Sequence, residues 1–505
     1  MDSRSPRWPS ARIGLALLAA AVAVLAAAGC GSGTPKPAPA RPTFNVADAA
    51  TGQPIPSGFV GLSLEMKTLE DYAGTDPDAI NPVFLHLIED IAPGQSPVLR
   101  LGGDSTDWSW WPIPNVPRPP GVTFTLTPNW FAVAHSLATA VRGKLILGVD
   151  LEADNRTVAA GEANAMVARI GRDQLAALEL GNEPELYGSF GWYRSAAGKP
   201  VPGRPRDYDP SAFVRDYSSF APHLPDVPLA GPSSGAPQWL ARLDSFLDAE
   251  PRVRLVTVHA YPLKHCTKSK VITIPQLLSE QSSRGLAATV SPYVAIAAAH
   301  HAPLRVDEMN GISCGGTRGV SDTFTSALWV LDTLFEIAHS GVGGVNIHSV
   351  PGGINEILGP ADTGGTQRMR VHPEFYGMMM FAQAAPAGSR LLKLGTSTPP
   401  GVKVWATRAS DGVIHVVVIN KRLSKSQSLR LGVTGAHGTA EVEQLRAPSV
   451  QSTGGVTLGG QTFGAETTTG VLAGPAARRT VAPSKGAYPV TVPPASATML
   501  TIPGR

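Results

Sequence analysis

Ala177-Leu178-Glu179-Leu180-Gly181-Asn182, closed by Glu183-Pro184, is a short apolar run that ends abruptly in polar residues and a proline. Its length and its polar end suit a strand of a parallel sheet, buried along its body and open to a ligand at its tip. Seven further runs of this kind lie at 59–65, 98–102, 144–150, 228–231, 254–261, 304–308 and 344–348. Helical stretches alternate with them, among them 81–91, 157–171, 211–220, 323–340 and 373–384. Eight strand–helix units across residues 57–385 predict an α/β fold, a (β/α)8 TIM barrel with insertions.

Beyond residue 385 the texture changes. Segments 391–395, 402–408, 413–420, 428–433, 440–445 and 498–502 are short, rich in β-branched residues and separated by Gly, Ser, Thr and Pro. They predict a C-terminal all-β sandwich over 386–505. The strand-like 42–46 precedes the first barrel run, so residues 43–56 are expected to add a strand to that sandwich. A chain of 505 residues, 43% hydrophobic and only 16% charged, has the material for two such cores.

The N-terminus reads as an address. Arg4, Arg7 and Arg12 precede a 16-residue apolar run, 13–28, that ends in Ala27-Ala28-Gly29 before Cys30. The run is short for a membrane span and has the layout of a signal peptide over 1–29. Cys30 after small residues resembles the lipobox of bacterial lipoproteins, although Ala27 stands where leucine is usual. That resemblance implies lipidation at Cys30, export and a membrane anchor on the outer face of the cytoplasmic membrane, with the Pro-rich 30–42 as a tether. Plain secretion is the alternative. Without Arg4, Arg7, Arg12 and Asp2 the chain carries 39 basic against 38 acidic side chains and no basic cluster, so no nucleic-acid partner is expected. Cys266 and Cys314 then remain as a candidate disulfide, with no Cys/His cluster to suggest a metal.

A TIM barrel builds its site at the C-terminal ends of its strands. Those ends carry Glu65, then Asp104, Asp107 and Trp108, then Asp150 and Glu152, then Asn182 and Glu183, then His259 and Tyr261, then Asp307, Glu308 and Asn310, and finally Asn346 and His348. A ring of carboxylates around an apolar barrel is costly unless used, and a carbohydrate is the simplest ligand for it. Hydrolysis of a glycosidic bond needs two carboxyl groups, one to protonate the leaving oxygen and one to attack or to activate water. Glu183 supplies one. Asp307 and Glu308 compete for the other, since strand alternation admits only one of them to the barrel mouth.

Leu180-Gly181-Asn182-Glu183-Pro184 resembles the Asn-Glu-Pro motif of clan A glycosidases, whose partner carboxylate ends the seventh strand. Gly61-Leu62-Ser63-Leu64-Glu65, the stretch from Leu99 to Ser105, His259-Ala260-Tyr261 and Asp307-Glu308-Met309-Asn310 are similar to glycoside hydrolase family 79, the β-glucuronidase and heparanase group, which pairs a barrel with a β-sandwich. The resemblance implies a retaining enzyme for β-linked glycosides, with Glu183 as acid/base and Glu308 as nucleophile. It implies that Asn182 meets the sugar 2-hydroxyl, that Tyr261 hydrogen-bonds the nucleophile, and that Glu65, Asp104 and His259 line the sugar site. Trp108, Trp110 and Trp192 are candidate stacking surfaces. No cofactor or metal is expected, because the first strand lacks His-x-His. The uronate is less well marked: no tyrosine lies between Glu308 and Tyr376, which leaves the glycine-rich 311–319 and 351–365 with Arg368 or Arg370 to meet it. Three alternatives stand beside this reading: a clan A glycosidase for a neutral sugar, a non-catalytic carbohydrate-binding lipoprotein, and a metal-dependent barrel hydrolase.

Overall fold

In Leu99-Arg100-Leu101, Leu178-Glu179-Leu180 and Val256-Thr257-Val258 the strand period of two sends the aliphatic side chains one way and the polar one the other. The computed structural model, which describes residues 43–267, 271–361, 367–395 and 398–504, shows the two directions to be the helix layer and the barrel lumen. An N-terminal strand, β1 (Thr43–Thr51), is followed by β2 (Val60–Glu65), β3 (Val98–Gly102), β4 (Lys144–Val149), β5 (Leu175–Leu180), β6 (Leu229–Ser234), β7 (Val253–Ala260), β8 (Leu304–Met309) and β9 (Gly344–Ser349). Strands β2 to β9 close into a parallel barrel in chain order, so the expected fold class holds. Leu62, Leu64, Leu99, Leu101, Leu178, Leu180, Val256, Val258, Val345 and Ile347 face outward into one apolar core shared with the helices. The lumen receives the polar members of each strand.

Helix starts follow local chemistry. Helix α1 (Pro82–Ile91) opens where the Asn81 side chain accepts from the Val83 and Phe84 N–H groups, with proline at the first turn. Asn155 caps α2 (Arg156–Ile170) in the same way. Helix α3 (Phe324–His339) is buried on nearly every face, as a helix apolar all round must be. It packs mainly on α4 (Pro373–Ala384) and on the helical segment 281–299, and it also meets the β domain.

That domain contains β10 (Arg390–Leu394), β11 (Val402–Arg408), β12 (Ile414–Asn420), β13 (Gln427–Val433), β14 (Ala440–Arg446), β15 (Tyr488–Val492) and β16 (Ser496–Ile502). They form one sheet in the order β14-β16-β12-β11-β10-β1-β13-β15. Strand β1 lies antiparallel to β10 and parallel to β13. The sheet doubles over its own core, where Val404, Val416 and Val418 meet Leu429, Leu431 and Val490. The alternate residues Val417, Ile419, Ala497 and Met499 turn the other way and join the barrel's core. At that seam Lys421 Nζ lies 2.5 Å from Asp332 Oδ2, and the Trp405 indole donates to Asp332 Oδ1 at 2.8 Å while stacking on Phe335. No helix among the described residues is long and apolar enough to cross a membrane. Cys30, the signal-like segment and the tether lie outside the described residues.

Candidate active site

Arg100 organises the upper lumen. Fully buried at the middle of β3, it reaches residues of five other strands or strand ends. Its Nε donates to Glu179 Oε2 at 2.7 Å and lies 3.0 Å from Asp307 Oδ2. Its Nη1 donates to Glu308 Oε2 at 2.7 Å, and its Nη2 to Asn182 Oδ1 at 2.8 Å and Ser233 Oγ at 3.2 Å. Five fixed donors in a plane make arginine the side chain for this task. Sequence reading missed its role, although a charge between two leucines of a buried strand was the signal available.

Glu308 accepts a second hydrogen bond, from the Tyr261 hydroxyl to Oε1 at 2.8 Å. Burial works against its charge, but His348, His259, Arg100 and the Tyr261 hydroxyl outweigh burial and hold its carboxyl well below the usual range. Glu308 is therefore an anion with its lone pairs oriented by two donors. Of Asp307 and Glu308 only Glu308 reaches the mouth, but Asp307 also turns into the lumen, which strand alternation alone does not allow. The register of β8 shifts between Val306 and Met309, and such a bulge re-aims a side chain. Both acids consequently face Arg100, Asp307 deeper and Glu308 at the mouth.

Glu183 follows β5 in the left-handed region (φ 45°, ψ 56°), rare for a residue with a side chain. Its N–H donates to Ser233 O at 2.9 Å, and Pro184 opens the next turn. Its Oε1 is 3.1 Å from His259 Nδ1. Burial opposes a charge on His259, and so does Arg100. Glu308, the bond to Glu183 and Asp307 prevail, pushing its pKa up to about 10. One ligand-type atom from each of Glu183, His259 and Glu308 lies within 4.8 Å of the others. Three such groups can in principle hold a cation. Here Glu308 is already paired with one arm of the Arg100 guanidinium, and a charged His259 offers no lone pair, so the chemistry of the set does not suit one.

The remaining expected residues surround this pair. Asn182 donates its N–H to Asp107 Oδ2 at 3.1 Å, and with its oxygen held by Arg100 its amide NH2 faces Asp104 at 3.5 Å. Glu65 Oε2 accepts from Ser105 N–H at 2.8 Å, and its Oε1 is 3.7 Å from His348 Nε2. Gly103 (φ 66°) makes this possible, because a Cβ there would lie 2.4 Å from Glu65 Oε1. Asp104 is pushed up to about 8 by the protein packed around it and then by Glu65, Glu308, Glu183 and Asp107. Its side chain meets solvent at the mouth, where these carboxylates crowd it. Trp108 is half-buried beneath Lys67, 4.7 Å from the ring centre. Trp110 packs with Val122 and Val158, and half-buried Trp192 packs against that cluster while donating its indole N–H to Asp107 O at 2.7 Å. Arg370 and Arg368 face Glu356 and Glu466 at 3.2 and 3.6 Å. Cys266 and Cys314 are joined, their Cα atoms 5.2 Å apart, where 263–264 pairs with 312–313 beside the mouth.

A closed parallel barrel with facing glutamates at two strand ends and a β domain on its flank is the architecture of a class of glycosidases. Comparison narrows the class. Residues 404–499 match the Glycosyl hydrolase family 79 C-terminal beta domain. A beta-glucuronidase of Neurospora crassa is 22% identical over 427 residues, covering 74% of each chain. Among solved structures, a 4-O-alpha-L-rhamnosyl-beta-D-glucuronidase from Fusarium oxysporum 12S superposes with a TM-score of 0.70 at 22% identity, over 91% of this chain and 100% of that one. A GH51 arabinofuranosidase from Xanthomonas axonopodis pv. citri gives 0.64 at 15% identity, over 91% and 99%. The chain is therefore similar to glycosidases, and its C-terminal β domain to that of glycosyl hydrolase family 79.

Proposed function

We propose that the protein is a retaining β-glucuronidase in which Glu308 attacks the anomeric carbon and Glu183 is the acid/base. The observation that carries this reading is the spacing of the two glutamates, whose oxygens approach within 4.8 Å. Retaining enzymes set their carboxyl groups about 5 to 5.5 Å apart, and inverting enzymes leave about 6.5 Å or more for a water. Glu308, ionised and aimed by Tyr261 and Arg100, forms the bond to carbon as Glu183 gives its proton to the departing oxygen. The sugar is then held as an ester on Glu308. Glu183 next takes a proton from water, the hydroxide adds to the same carbon, and the ester bond returns its electron pair to Glu308. Asn182 offers its NH2 to the 2-hydroxyl, Glu65, Asp104 and His259 bound the sugar site, and Trp108 provides a face for stacking.

The relatives named for glucuronides favour a uronic acid. The carboxylate is assigned to backbone N–H groups of 311–319, because Arg368 and Arg370 already face glutamates. That same pairing favours a neutral sugar as the second reading. A panel of p-nitrophenyl glycosides separates the two: turnover of the β-D-glucuronide above the neutral sugars is expected, and activity confined to neutral glycosides overturns the uronidase assignment. Export and a lipid anchor at Cys30 complete the proposal. Metabolic labelling with a fatty-acid analogue should mark the wild type and not Cys30→Ser, and an unlabelled wild type overturns the anchor.

A further inference from the structure

Beneath the two glutamates lie two more carboxyl groups that the reaction does not use. Glu179 (β5) and Asp307 (β8) are completely buried and meet at one atom, Arg100 Nε, at 2.7 and 3.0 Å. A third carboxylate, Glu308, takes Nη1 of the same guanidinium. Three anions on one cation, all buried, leave an excess charge that is costly to hold out of water. The hydrogen-bond pattern marks where it is relieved. Arg100 Nε aligns with Glu179 only, neither oxygen of Asp307 has an aligned donor among the described residues, and beside Glu179 only the Thr257 hydroxyl is near enough to help. Groups so deeply buried are ordinarily satisfied. Glu179 Oε2 and Asp307 Oδ2 crowd the same Arg100 nitrogen, and a proton between the two groups relieves both.

We propose that Asp307 and Glu179 share one proton, carried by Asp307 and donated to Glu179, and that this pair is a positioning element that frees Arg100 Nη1 for Glu308. The inference rests on Glu308 as the attacking carboxylate. Other charged and titratable groups facing the pair are His259, 3.9 Å from Asp307 Oδ1, Arg305 on β8 and the Tyr217 hydroxyl below Glu179. Arg305 is held by Asn346 and by the Gly58, Phe59 and Val345 carbonyls at the barrel's other end, so it does not compete for Asp307. The electrostatics agree with the geometry. Burial and then the Glu179 charge push Asp307 far up, whereas Arg100 and the Asp307 hydrogen bond outweigh burial and hold Glu179 down. With Asp307 neutral, Arg100 balances Glu179 while one arm remains on Glu308, and the charged His259 supports that anion from the side.

Infrared difference spectra at pH 7 read the proton directly. Wild type minus Asp307→Asn should show the loss of one protonated carboxyl stretch, sensitive to deuterium. Glu179→Gln should remove the same band, because Asp307 then ionises against Arg100. A difference spectrum showing loss of an ionised carboxylate in Asp307→Asn overturns the proposal. Kinetics test the positioning. Asp307→Ala should lower kcat by about 10- to 100-fold with a smaller change in KM, and Asp307→Asn, which restores a donor to Glu179, should recover most of it. Equal losses in Ala and Asn overturn the role. The spectra do not involve turnover, so a failure of the glycosidase reading, seen as full activity in Glu308→Gln, is distinguishable from a failure of the shared proton.

Discussion

Arg100 and Glu308 show how much a single inward-facing position can decide. The guanidinium collects Glu179, Asp307, Glu308 and Asn182 on one plane, so the nucleophile's orientation depends on a residue that need never touch substrate. Glu308→Gln and Glu183→Gln should each lower kcat by on the order of 10^4-fold or more with the fold intact, since each removes one of two inseparable roles. Azide should rescue Glu183 variants on substrates with good leaving groups; unaltered turnover in either Gln variant contradicts the assignment. Protonation makes a second prediction. The His259 pKa is raised to about 10, above its unfolded value of about 6.5, so its contribution to stability is complete below about 6.5 and is lost as pH rises through about 10. Glu308 is depressed, so its contribution is present above the ordinary carboxylate range and is lost as pH falls through its lowered value. Denaturant melts between pH 6 and 10 should show falling stability in the wild type and a flatter profile in His259→Gln; parallel profiles contradict it.

At the scale of elements, much was legible because the barrel strands obey one rule. Each is a short, mostly apolar run that ends in or leads into polar residues, and all eight runs became barrel strands. The tips named the glutamates because a (β/α)8 fold must place strand ends together. The bulge in β8 was not legible, since Asp307-Glu308 gives no local sign of the register shift that brings both acids inward. Nor was the packing role of Trp110 and Trp192, because a tryptophan near a sugar site and one beneath a loop look alike in sequence. Strand β15 was overlooked because Pro489 interrupts its pattern, and proline is tolerated there at the end of the sheet. The disulfide belongs to this scale too. Cys266 and Cys314, 48 positions apart, tie the segments after β7 and β8, and loop entropy gives the bond about 4 kcal/mol. Cys266→Ser/Cys314→Ser should lower the melting temperature and weaken substrate binding more than kcat. Two labelled thiols in denatured, non-reduced wild type contradict the bond.

Across the whole molecule, the β domain packs against the barrel's helix layer at α3 and α4. Val417, Ile419, Ala497 and Met499 complete its core, and Lys421 and Lys403 neutralise Asp332 on α3. Strand β1 begins in the β domain before the barrel starts, so the two parts are tied at both ends of the barrel. Heating should therefore give one cooperative calorimetric transition, and two separated transitions contradict the shared core. Lys421→Met should destabilise by about 3 to 5 kcal/mol by leaving Asp332 less compensated. The central claim is that Glu183 and Glu308 act together on one anomeric carbon by two displacements. Proton NMR of the first-formed sugar from p-nitrophenyl β-D-glucuronide tests it most directly: the account predicts the β-anomer before mutarotation, and first appearance of the α-anomer would contradict it.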